Sequence, residues 1–338
     1  MIGNVVLPGT EKKEWPGIRE ALKTRILETF GMPRQGSAQE PGVPEKRPKP
    51  EWKELERAEK HGLIHITLKY RVIEDHWNEA ILVLPGGGEP KSPLPAILCV
   101  HGSNAEKGKT QMMDSGHENA FGIELAQRGY VTLSPDQFAF GAWIAKTTAK
   151  ELIKDFYEKH PGWTLDGLRL LEQVRALDVL ESLKYMKKDS LGIIGHSLGG
   201  RAVTHLAALD ERVKACVSSA GVSPNCTNVY RRITWSEPQN PIISRFIKDS
   251  YGRMPWDYHE LLSLCAPRAF MAVEPFNDDY NPDAEVTFQC FRSAFDAYTL
   301  LGAPEKLILY LHGEAHHTPP HVREDSYRWL DRFLKKQA

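Results

Sequence analysis

Residues 191–200 read Leu191-Gly192-Ile193-Ile194-Gly195-His196-Ser197-Leu198-Gly199-Gly200. A short apolar run meets a G-x-S-x-G corner, and from Leu198 to Leu209 apolar residues recur at helical spacing. That is strand, corner, helix. A serine at such a corner sits on strained backbone, and side chains at the flanking glycines would collide with strand and helix. The first helical turn brings backbone N–H groups near any negative charge that develops beside the serine. A serine ahead of a helix is also an ordinary N-cap. The strand before it and the helix after it make Ser197 a candidate nucleophile.

The same rhythm extends outward in both directions. Ala96 to Val100 is continuously apolar, as in a central parallel strand covered on both faces. Helix 119–128 leads to strand 130–133, helix 165–186 to strand 191–194, and helix 198–209 to strand 213–218. Helix 259–264 leads to strand 269–273, helix 284–301 to strand 306–311, and a last helix covers 321–336. Strict alternation predicts an α/β fold, a mostly parallel sheet with right-handed crossovers. Ile64, Ile66, Leu68 and Tyr70 alternate, and Ile81 to Leu84 follows with no helix between. Two such strands predict an antiparallel edge. Residues 137–161 and 224–258 are too long for plain connections. Both follow strand C-termini, where open α/β sheets bind ligands, and are expected to form a cap.

Serine needs a base, and in a strand–elbow–helix protein the acid and then the histidine come later in the chain. His205 lies in the helix after the elbow, and His259 precedes the strand expected to carry the acid. The segment Leu311-His312-Gly313-Glu314-Ala315-His316-His317-Thr318 follows the last strand. His316 is the first choice there, with His317 next. After Phe270-Met271-Ala272-Val273 comes Glu274-Pro275-Phe276-Asn277-Asp278-Asp279. Asp278 is the better-placed carboxylate and Asp279 its rival, although Asn, Asp and Pro also cluster in turns. The oxyanion would be held by the Leu198 N–H and by an N–H from the loop after Val100, where Ser103 is chosen. His101, which precedes Gly102, is read as shaping that loop.

The 338 residues carry 43 Lys plus Arg against 44 Asp plus Glu, a net charge of −1 that gives no footing to nucleic acid or anionic membrane. No apolar run reaches the length of a membrane span. The start lacks the basic and apolar regions of a signal peptide. Five scattered cysteines without a CxxC pair suit reduced thiols and a cytoplasmic setting. No zinc-type cluster is evident, so neither metal nor other cofactor is expected. Ile18, Leu22, Ile26, Leu27 and Phe30 mark a helix that Gly31 and Pro33 stop. Residues 1–50 therefore read as a helical arm and linker, and 51–338 as the catalytic domain. The arm would serve as a cover on its own chain or as a surface for homo-oligomer formation.

Val100-His101-Gly102, Gly129-Tyr130-Val131 through Ser134-Pro135-Asp136, the elbow, and Ala266-Pro267-Arg268 resemble the dienelactone hydrolase and acetyl xylan esterase-like group of α/β-hydrolases. The likeness runs from about residue 63 to the last helix. It implies an α/β-hydrolase fold, Ser197 as nucleophile and His316 as base. Dienelactone hydrolases proper typically use cysteine, so the serine favours carboxylic ester hydrolysis. The expectation is a Ser-His-Asp acyl transfer on short-acyl, acetyl-type or sugar-linked esters. Aromatics of the long segments, Phe140, Tyr230, Trp235 and Trp256 among them, are candidate walls of the substrate site. The rival readings are a prolyl oligopeptidase-like peptidase and a non-catalytic ligand-binding relative.

Overall fold

The computed structural model describes residues 2–31, 48–227 and 255–335. Its strands are β1 (Trp52–Lys60), β2 (Leu63–Ile73), β3 (His76–Leu84), β4 (Leu94–Val100), β5 (Val131–Pro135), β6 (Met186–His196), β7 (Ala215–Ser219), β8 (Ala269–Pro275) and β9 (Leu307–His312). They form one nine-stranded sheet in the order β1-β2-β3-β5-β4-β6-β7-β8-β9. From β5 to β9 every neighbouring pair is parallel. β1, β2 and β3 pair antiparallel, and β3 lies antiparallel on β5.

The expected antiparallel edge therefore has a third strand. β1 reads Trp-Lys-Glu-Leu-Glu-Arg-Ala-Glu-Lys and is exposed along most of its length. With neither face buried it has no reason to alternate, so its sequence carries no period-two signal. Its charges protect the open edge of the sheet from further pairing.

The helices among the described residues are α1 (Trp15–Phe30), α2 (Phe121–Gln127), α3 (Ala149–Lys159), α4 (Leu165–Ser182), α5 (Leu198–Leu209), α6 (Tyr258–Cys265), α7 (Ala284–Leu300) and α8 (Pro320–Leu334). Ala96, Leu98 and Val100 of β4 enter one core with Leu170 of α4, Leu206 of α5, Leu261 of α6 and Phe291 of α7. Ile97 and Cys99, one residue out of step, enter a second core with Phe121 of α2 and Leu330 of α8. Both faces of the strand are covered, which explains its unbroken apolar run.

Residues 137–161 form a 3-10 turn at Gly141–Ile144 and then α3. Thr148 and Glu151 form a capping box at the start of α3. Phe138, Phe156, Leu165 and Leu168 give this unit its own small core. The second long segment lies mostly outside the described residues. The N-terminal helix packs against its own chain: Ile26, Leu27 and Phe30 are buried in the main core. The Trp256 indole N–H donates to Thr29 Oγ1 at 2.7 Å, and its ring stacks on Phe30 with centroids 5.9 Å apart.

Candidate active site

Ser197 stands between β6 and α5 with φ 55° and ψ −116°, backbone that a residue with a Cβ rarely adopts. The surrounding chain leaves room for no other shape. A Cβ on Gly195 would lie 2.4 Å from the Gly199 carbonyl oxygen, and one on Gly199 would lie 2.1 Å from that of Val100. The Ser197 N–H donates to the Ser219 carbonyl at 2.8 Å, which ties the corner to β7. Leu198 opens α5, so its N–H is among those with no acceptor inside the helix.

The β9–α8 loop brings His316 over this corner. The Ser197 hydroxyl donates to His316 Nε2 at 2.8 Å, and His316 Nδ1–H donates to Asp278 Oδ2 at 2.7 Å. Asp278 follows β8 and is 2% exposed. Its other oxygen accepts the Tyr280 N–H at 2.8 Å. The rivals point elsewhere. His317 is exposed and bonds Glu118 Oε2 through Nδ1 at 2.9 Å, and Asp279 is exposed.

The loop after β4 lies against the serine. A Cβ on Gly102 would sit 3.7 Å from Ser197 Cβ, and Gly102, Ser103 and Leu198 line the same cavity as Ser197 and His316. That cavity holds about 530 Å³. His101 braces the loop from below, fully buried. Its Nε2 accepts the Gln137 N–H at 3.0 Å, so Nδ1 carries the proton and donates to the Gly102 carbonyl at 2.7 Å. The Gln137 amide returns a bond to the His101 carbonyl at 2.8 Å. Burial lowers the His101 pKa and keeps the ring neutral, as this pattern requires.

His196, the residue before the serine, has a role the sequence reading did not assign. It is buried, and its ring lies 4.9 Å from that of His316. Its Nδ1 bonds the hydroxyls of Ser219 at 3.1 Å and Thr318 at 3.2 Å. The Ser219 and Thr318 hydroxyls are 2.8 Å apart, and Thr318 donates to Asn119 Oδ1 at 3.2 Å. Burial, reinforced by the neighbouring His316, pushes His196 down to about 3. It is neutral near pH 7. Serine, threonine and asparagine are too common for this cluster to be read before the loops meet.

The aromatic candidates divide. Phe140 lines the cavity. Trp256 does not: it is 2% exposed, packed between Phe30 and the body. Its large ring is held by the core that seats α1, which corrects its assignment as a substrate contact. Tyr230 and Trp235 lie outside the described residues. Tyr280, not singled out by sequence, stands with its ring 4.7 Å from His316. A second cavity of about 610 Å³, walled by Phe138, Trp143, Phe156 and Trp163, does not include Ser197.

A family model described as alpha/beta hydrolase fold matches residues 95–246. YtaP of Bacillus subtilis (strain 168) is 26% identical over 289 residues, 79% of this chain and 92% of that protein. Among solved structures, a glucuronoyl esterase from Solibacter usitatus superposes with a TM-score of 0.72 at 16% identity, covering 98% of this chain and 97% of that one. Acetyl xylan esterase 1 from Thermoanaerobacterium sp. gives 0.60 at 16% identity, covering 94% of each chain. The chain has the α/β-hydrolase fold. Among the described residues no helix is long and apolar enough to cross a membrane.

Proposed function

We propose that this α/β-hydrolase-fold chain is a serine carboxylic-ester hydrolase acting through Ser197, His316 and Asp278. The observation that carries this reading is the unbroken pair of hydrogen bonds, 2.8 and 2.7 Å, from serine through imidazole to a buried carboxylate. His316 removes the Ser197 proton as the oxygen attacks an ester carbonyl. The Leu198 and Ser103 N–H groups hold the oxyanion, each worth about 3–4 kcal/mol in the transition state. Asp278 fixes the imidazole tautomer and stabilises the imidazolium. His316 then protonates the departing alcohol. Water, activated by the same ring, releases the acid and frees the serine.

The names of the structural neighbours, a glucuronoyl esterase and an acetyl xylan esterase, favour an ester over an amide substrate. A short acyl group, free or on a sugar, is the proposed preference, and Phe140 is its proposed wall. The test is a fluorophosphonate probe followed by an ester panel from acetyl to long acyl, acetylated sugars included. The reading expects covalent labelling that Ser197→Ala abolishes, together with turnover of short esters. Labelling unchanged in Ser197→Ala would end it. Turnover of peptide anilides alone would replace it with a peptidase.

A further inference from the structure

Helix α4 buries Leu168, Leu170 and Leu171, yet places Arg169 among them, only 9% exposed. An apolar side chain would satisfy the packing at far less cost, because a guanidinium stays charged and its desolvation must be offset by a partner. Arg169 has no ion-pair partner within 4.0 Å among the described residues. The two carboxylates nearest in charge are engaged elsewhere. Asp166 accepts from Arg201 at 3.0 Å. Glu172 bonds His76 Nε2 at 2.8 Å and accepts the Phe138 N–H at 3.0 Å. One Nη of Arg169 donates to the Phe138 carbonyl at 3.2 Å, and the guanidinium lies over the Phe140 ring, 5.4 Å from its centroid. Its buried Nε has no hydrogen-bond partner among the described residues.

This guanidinium lines the cavity that holds Ser197, and Arg201 of α5 lines it too. The carboxylate that lines that cavity among the described residues, Glu118, is held by His317 and by the Thr318 N–H, beside the His316 loop. On the helix side of the cavity Arg201 is thus paired with Asp166, while the Arg169 guanidinium keeps a donor without a partner among the described residues. A planar fork with open donors matches a carboxylate.

We propose that Arg169 is an anion-binding residue of the Ser197 cavity, and that the ester this protein admits bears a free carboxylate in its acyl or alcohol part. This rests on the ester-hydrolase reading of the same cavity. Two substrate pairs test it on the wild-type chain: 4-acetoxybenzoate against 4-acetoxybenzamide, and methyl hydrogen terephthalate against methyl 4-carbamoylbenzoate. In at least one pair the charged ester is expected to have a kcat/KM about tenfold higher or more. Arg169→Met should remove that preference, read as the ratio of the two kcat/KM values within each pair. Calorimetry on Ser197→Ala needs no turnover. It should find 4-acetoxybenzoate bound about tenfold more tightly than the amide, and the added Arg169→Met should erase the difference. Equal kcat/KM within both pairs together with equal binding overturns the anion site, whether or not the variant folds. Absent turnover and labelling with the binding difference intact would instead remove the hydrolase reading and keep the anion site.

Discussion

Ser197 is held at φ 55° by its neighbours, at a local cost of about 1–3 kcal/mol. The strain lifts its hydroxyl to within 2.8 Å of His316. Two adjacent pairs in the sequence, Asp278-Asp279 and His316-His317, offered alternatives there. In each pair one side chain turns inward and the other meets solvent. Asp278→Asn is therefore expected to lower kcat about 10³–10⁴-fold with stability little changed, whereas Asp279→Asn stays within about threefold. His317→Ala should likewise retain ester turnover that His316→Ala loses. Equal loss in both members of either pair, measured with a short chromogenic ester, would contradict the assignment.

At the scale of the element, the corner works because β6, α5 and the loop after β4 approach to backbone contact. Gly199→Ala would drive a Cβ into the Val100 carbonyl, which is backbone and cannot swing aside. A destabilisation of about 2–4 kcal/mol is expected, read from urea unfolding midpoints at constant slope. The β9–α8 loop is tied to the same corner through Thr318, Ser219 and the neutral His196. His196 has a folded pKa of about 3 against 6.5 when exposed. The unfolded chain therefore binds the extra proton between those values. Its contribution is whole above pH 6.5 and is lost as pH falls toward 3. Between pH 7.5 and 5.0 this one residue should remove about 2 kcal/mol of unfolding free energy. In His196→Gln that part of the pH slope should vanish, and an unchanged slope would assign the acid sensitivity elsewhere.

Across the described residues, the nine-stranded sheet carries the proposed site at the C-terminal ends of its parallel half. The proposed nucleophile, acid and base follow β6, β8 and β9, which share one direction through β7. The N-terminal helix closes the far side of the core formed by α4, α5 and α6. Phe30 meets His205 of α5 edge-on at 4.9 Å and stacks on Trp256. Phe30→Ala is expected to cost about 3–5 kcal/mol. Its tryptophan emission should shift to the red as Trp256 gains water. An unshifted spectrum with unchanged stability would show that α1 only lies on the surface.

The sequence alone determined the alternation of strand and helix, the buried parallel centre and the elbow at residues 195–199. Each depends on local period or on glycines required by close backbone approach. It also narrowed acid and base to two candidates apiece, because chain order limits which loops reach the sheet edge. Tertiary structure decided the rest. A polar edge strand such as β1 has no periodicity, so only its pairing with β2 reveals it. Which of two adjacent histidines faces Ser197 depends on how the loop is pinned by Thr318, and that pin joins side chains 99 and 199 positions apart. Trp256 and Arg169 carry the same lesson in opposite senses. The ring expected at the cavity packs in the core, and a cation of the buried helix α4 reaches the cavity, because burial is set by distant neighbours that no local pattern contains.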